Sequence, residues 1–150
     1  GRTPAGRVDD DTPLSGVDLL PTFCSLAGAD VPAGAPLDGE DMSAAFRGET
    51  VQRDKPLLWE WRFGVAGHCI NKSPMLAVRR DNWKLLTNPD GSRVELFDVP
   101  ADPMEIKDRA DAEPEVVQRL RDEVLAWQQE LPEGPVNEWA GRNDYPWPGT

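Results

Sequence analysis

Hydrophobic spacing along the chain changes character near residue 56. Before it, one amphipathic stretch stands out. In SGVDLLPTFCSLAG, residues Leu19, Leu20, Phe23, Cys24 and Leu26 recur at helical spacing. Asp18 fits the N-cap position, Pro21 falls in the first turn where its missing N–H costs little, and Gly28 suits the C-terminal stop. The pattern predicts a short helix, apolar over a wide arc, that needs burial against something larger than itself. Residues 29–54 then run as ADVPAGAPLDGEDMSAAFRGETVQRD. A single short helix over about Met42–Arg47 is predicted there, with Asp41 as its cap and Gly48 as its stop. The remainder reads as an irregular connection lying over another surface.

Beyond residue 56 the period becomes two. PLLWEW sets Leu58 and Glu60 against Leu57, Trp59 and Trp61, its tryptophans set for packing. MLAVRR and NWKLL are two further strands separated by Asp81-Asn82, a tight hairpin signal. NPDGS is a turn, and RVELFDV is the fourth strand. The last three strands are expected in meander order. Gly64 and Gly67 favour a loop over 62–74. A final helix over about Pro114–Glu130 carries Val117, Leu120, Val124, Trp127 and Leu131 as one apolar stripe, with Arg119, Arg121, Asp122 and Glu123 largely on its other faces. The expected fold class is α+β, a small four-stranded antiparallel sheet packed by a C-terminal helix. After Pro132 the tail carries Trp139, Tyr145 and Trp147 among Gly and Pro, so it is either disordered or pinned to a larger body by its aromatics.

Charge narrows the partners. A formal net charge of -11 argues against nucleic acid or an anionic membrane as partner. No stretch approaches the roughly 20 apolar residues of a membrane span. The first residues show neither an initiator Met nor an apolar leader, and the chain reads as a fragment or a processed piece. The acidity is uneven, because residues 62–84 hold Arg62, Lys72, Arg79, Arg80 and Lys84 against one acid, Asp81. Such an island is either a sheet face balanced by acids from neighbouring elements or a surface facing an anion.

Candidate chemistry is sparse. Cys24 fits a small core residue. Cys69 adjoins His68, the single histidine, but neighbours on an extended chain point to opposite faces, which argues against a Cys–His nucleophile. The acidic clusters at 9–11 and 37–41 read as solvated turns and do not match a calcium-binding helix–loop–helix. No paired-His metal motif, Gly-rich phosphate loop, GxSxG or CxxC is present.

An ordered series of motifs adds to this picture. GRTPAGRV, SGVDLLPTFCSLAG and LDGEDMSAAFRG resemble the run that closes the catalytic domain of type I, formylglycine-dependent sulfatases. WEWRF, GHCINKSPMLAVRRDNWKLLTNPDGSRVELFDVPADPMEIKD and the PEVV…L helix resemble that family's C-terminal subdomain, and the look is towards N-acetylgalactosamine-6-sulfatase-like and arylsulfatase A-like enzymes. The resemblance implies that 1–54 closes an alkaline-phosphatase-like α/β catalytic domain and links onward, that 55–131 is the C-terminal subdomain, and that 132–150 is a tail. It implies an enzyme that hydrolyses sulfate esters of sugars or aryl groups, and export to the periplasm or beyond. The family's Cys/Ser-x-Pro-x-Arg nucleophile motif is matched by neither Cys24 nor Cys69. Its calcium ligands also lie upstream of the matched region. Alone, the chain is therefore expected to be inactive, and to pack on its own catalytic domain.

The resemblance leaves one place for substrate contact, the loop 62–74. His68 and Lys72 are expected to donate to sulfate or sugar oxygens, Asn71 to donate or accept, and Arg62 to add an anionic contact at the cleft rim. The competing expectation is a solvated loop. Two other functions fit the residues: a stand-alone module binding carbohydrate or a protein through its tryptophans, and a phosphatase or phosphonate hydrolase of the same superfamily.

Overall fold

The computed structural model of the chain describes residues 3–34, 36–63 and 73–143. The chain divides into two compact units, Gly1–Pro56 and Leu57–Thr150.

In the first unit a 3-10 turn, Gly16–Asp18, leads into helix α1, Leu19–Ala27, which Gly28 ends at φ 69°. The helix lies where the spacing places it, but Asp18 does a different job from the one expected. Its side chain makes no capping bond to α1. Its carboxylate accepts from Ser15 N at 2.8 Å and Glu40 N at 3.0 Å, and from Arg53 Nη1 and Nη2 at 2.6 and 3.0 Å. Both side chains of that ion pair are almost fully buried. Burial alone would push the Asp18 carboxyl up, but the Arg53 guanidinium and the Glu40 and Ser15 N–H groups together outweigh it and hold it below the usual range. Thr22, also buried, accepts from Met42 N at 2.9 Å. These bonds hold residues 40–43 against α1. Helix α2, Ser43–Phe46, follows, and the Asp41 carboxylate accepts from Ser43 N at 2.8 Å as its entry bond. Gly39 is obligatory here, since a Cβ would lie 2.0 Å from the Val17 carbonyl oxygen. The side of α1 that this packing buries is Pro21 and Thr22, whereas Leu19, Leu20 and Phe23 are about half exposed. Cys24 is half-buried.

The second unit contains strands β1 (Leu57–Glu60), β2 (Leu76–Arg80), β3 (Trp83–Thr87) and β4 (Glu95–Asp98) and helix α3 (Pro114–Glu130). The sheet is antiparallel throughout, in the order β1-β2-β3-β4. Asp81 turns the β2–β3 hairpin at φ 53°. Leu58, Val78, Leu85 and Leu96 stand opposite one another across all four strands and form a row on one face. Leu120 and Val124 of α3, both fully buried, close over this row, with Val116, Val117, Leu125 and Trp127 packed around them. Segment 108–110 covers the outer edge of β4, because Arg109 N donates to Leu96 O at 2.7 Å and Leu96 N donates to Asp108 Oδ1 at 3.0 Å.

Alternation places Trp59 of β1, and Trp61 just beyond the strand, on the face opposite α3. They are not packed as the sequence suggests: Trp59 is 42% exposed and Trp61 49%, and Trp61 meets Phe63 edge to face at 5.9 Å. They border a shallow hollow of about 320 Å³, with Pro74, Met75, Ala77 and Leu86 as further walls. Four strands and one helix give α3 one sheet face to cover, and the β1 aromatics fall on the other.

Candidate functional site

Three of the four described cations of the positive island 62–84 are paired with acids: Arg62, Arg80 and Lys84. Arg80 forks onto Glu123 of α3, with Nη2 2.6 Å from Oε1 and Nε 3.0 Å from Oε2. Lys84 Nζ lies 2.7 Å from both oxygens of Glu105. Arg62 Nε donates to Glu60 Oε2 at 2.5 Å. Of the expected site residues, the structure places Arg62; His68, Asn71 and Lys72, like Cys69, lie outside the described residues.

Arg62 sits one residue beyond the strand-like bond that Trp61 N makes to Met75 O at 2.7 Å. Its guanidinium also donates through Nη1 to Pro132 O at 3.0 Å, and its own carbonyl accepts from Asn137 N at 2.8 Å. Gly134 passes so close that a Cβ there would lie 2.7 Å from Arg62 Nη1. Farther on, Gly141 O accepts from Arg93 Nη1 at 2.9 Å and Asn88 Nδ2 at 3.2 Å. A Cβ on Gly141 would lie 2.2 Å from Asn88 Oδ1, so glycine is required at this contact too. Residues 132–143 thus form a strap tied down chiefly by main-chain groups. Trp139 stays partly exposed, under the Arg142 guanidinium at 4.7 Å. Tyr145 and Trp147 lie outside the described residues.

Between the strap, the end of α3 and the 88–93 turn lies an open cavity of about 920 Å³. Glu60 and Arg62 line it from the β1 side, Asn88 and Arg93 from the turn, and Gln128 and Gln129 from α3. Gln128 Nε2 reaches Glu60 Oε1 at 3.3 Å, so both Glu60 oxygens are engaged. Sequence reasoning found Arg62 and missed the others, which come from segments far apart in the chain. The available signal was the pair Gly134 and Gly141 in the tail, each placed where another side chain leaves no room for a Cβ. Among the described residues no three His, Cys, Asp or Glu side chains gather in a group able to hold a metal ion. No helix among them is long and apolar enough to cross a membrane.

A model of the family "N-sulphoglucosamine sulphohydrolase, C-terminal" matches residues 2–130. The chain belongs to this sulfatase C-terminal family. Its relatives include a choline-sulfatase of Rhizobium meliloti, 31% identical over 104 residues, which are 67% of this chain and 18% of that protein. A Delta 4,5-hexuronate-2-O-sulfatase of Bacteroides thetaiotaomicron is 34% identical over 95 residues, or 63% and 19% of the two chains. Among solved structures, Ps i-CgsB superposes with a TM-score of 0.63 at 28% identity, covering 87% of this chain and 27% of that one. Its complex with k-i-k-neocarrahexaose superposes at 0.59 and 29% identity, covering 77% and 24%. The chain spans about a fifth of the length of the curated relatives it matches. The four-stranded antiparallel sheet packed by α3 is the fold of this sulfatase C-terminal family.

Proposed function

We propose that this chain is the C-terminal part of a sulfatase acting on sulfated glycans, and that it supplies packing surface and one wall of the substrate cleft. The match of the C-terminal sulfatase family across residues 2–130 carries this reading. The glycan class draws on the similarity to Ps i-CgsB, which was crystallised with k-i-k-neocarrahexaose. A formylglycine and a calcium ion, supplied by other parts of the enzyme, would provide the reaction chemistry. The chain by itself is inactive on this reading. Its open apolar surfaces, Leu19, Leu20 and Phe23 of α1 and Trp59, Trp61 and Phe63 around β1, are where the rest of the enzyme packs.

On this reading Arg62 contributes to the rim through one edge of its guanidinium. Two of its three nitrogens are held by Glu60 and Pro132, and its Nη2 has no hydrogen bond to another described residue. A guanidinium fixed in this way presents one directed edge to substrate. His68, Asn71 and Lys72 complete the rim in this proposal. In enzyme expressed from the whole reading frame, His68→Ala and Lys72→Ala should each lower kcat/KM on a sulfated glycan by about tenfold, the worth of one charge-assisted contact. Kinetics unchanged in both variants would remove the loop from the substrate site.

A further inference from the structure

The strap and the cavity beneath it have a specific geometry. The strap is fixed at Pro132 and Asn137 by Arg62 and at Gly141 by Asn88 and Arg93, and it spans open space between these holds. The cavity, at about 920 Å³, is of the size that takes a small organic ligand. The lining carries no net positive charge: Arg62, Arg93 and Arg142 stand against Glu60, Asp90 and Glu133. Arg62 is paired with Glu60 and Arg93 with Glu95 at 3.2 Å, while Arg142 stacks over the Trp139 ring. A sulfate group entering here would meet acids and pre-engaged guanidiniums. What remains are the amides of Gln128, held by Glu60, and of exposed Gln129, and one guanidinium edge, beside the aliphatic surfaces of Met75, Leu131 and Val136. Planar donors and acceptors next to aliphatic carbon match the hydroxyls and C–H faces of a sugar ring.

Building on the glycan-sulfatase reading above, we propose that the cavity under the 132–143 strap binds an uncharged sugar unit of the glycan. Gln128, Gln129 and Arg62 Nη2 are its hydrogen-bonding groups, and the strap is its outer wall. The sulfated unit would sit elsewhere, at the reaction centre.

The test is binding to the whole 150-residue chain, read by calorimetry and saturation-transfer NMR, with N-acetyllactosamine, chitobiose and cellobiose as neutral probes. At least one should bind with Kd of about 1 mM or tighter, and 6-O-sulfation of the N-acetyllactosamine should change its affinity less than about threefold. Inorganic sulfate should not compete. Gln128→Ala should weaken binding about tenfold, and Gln129→Ala, at an exposed position whose side chain has no hydrogen bond to another described residue to lose, should weaken it with an unchanged unfolding midpoint. Gly134→Ala, which forces Arg62 Nη1 aside, should do the same. Absence of binding by all three neutral probes overturns the proposal. So does competition by sulfate, or affinity that stays the same in both glutamine variants. No turnover enters this measurement, so its failure leaves the sulfatase reading standing, and a failure of the sulfatase reading leaves the binding result readable.

Discussion

Asp18 and Arg53 form the buried ion pair that holds the first unit's long connection to its helix. Removing the cation leaves a carboxylate with almost no solvent to turn to. Arg53→Ala should therefore cost about 3–5 kcal/mol in urea unfolding. The depressed Asp18 carboxyl also sets an acid dependence. Its stabilising contribution is complete above the unfolded value near 3.8 and fades as pH falls from there through the lower folded value. Unfolding midpoints taken between pH 6 and pH 2 should fall for the parent chain and fall less for Asp18→Asn. Some slope should remain in that variant, because the Arg7 guanidinium and the Thr12 N–H pull Asp9 down to about 2. Gly39→Ala should cost about 1–3 kcal/mol through overpacking against the Val17 carbonyl. The sequence did not disclose these roles. An acid ahead of a helix reads as a cap, and only the folded path of residues 37–55 brings Arg53 and Glu40 to Asp18.

At the scale of elements, the strands, both longer helices and the hairpin follow from alternation, stripe and turn residues, because each signal is local. Which face each strand buries is not local. It is settled by the register that aligns Leu58, Val78, Leu85 and Leu96 beneath Leu120 and Val124. Trp59 therefore falls on the uncovered face despite its hydrophobicity. Leu120→Ala should cost about 2–5 kcal/mol, whereas Trp59→Ser should change the chain's own stability by less than about 0.5 kcal/mol. Thermal or urea unfolding of the two variants side by side checks this contrast. The half-exposed Arg80–Glu123 fork ties α3 to β2 and is worth about 0–1 kcal/mol, well below the apolar contacts beside it. The strap was equally hidden from the sequence. Its anchors are main-chain groups, which carry no residue signature beyond the glycines that let them approach.

At the scale of the molecule, the central claim is that the chain completes a sulfatase whose reaction chemistry lies on other residues. That placement accounts for an α1 whose apolar arc is half uncovered and for a sheet with aromatics on its open face. It also bears on the strap cavity, since a subdomain without the nucleophile can still hold the part of a glycan that does not react. The most direct measurement is hydrolysis of p-nitrophenyl sulfate and of a panel of sulfated glycans, run in parallel on the purified 150-residue chain and on the product of the whole reading frame. The account predicts no turnover by the chain and turnover by the whole product, with a formylglycine detected by mass spectrometry in a Cys/Ser-x-Pro-x-Arg segment outside residues 1–150. Turnover by the chain alone, or a whole product that carries no such segment and hydrolyses no sulfate ester, would contradict it.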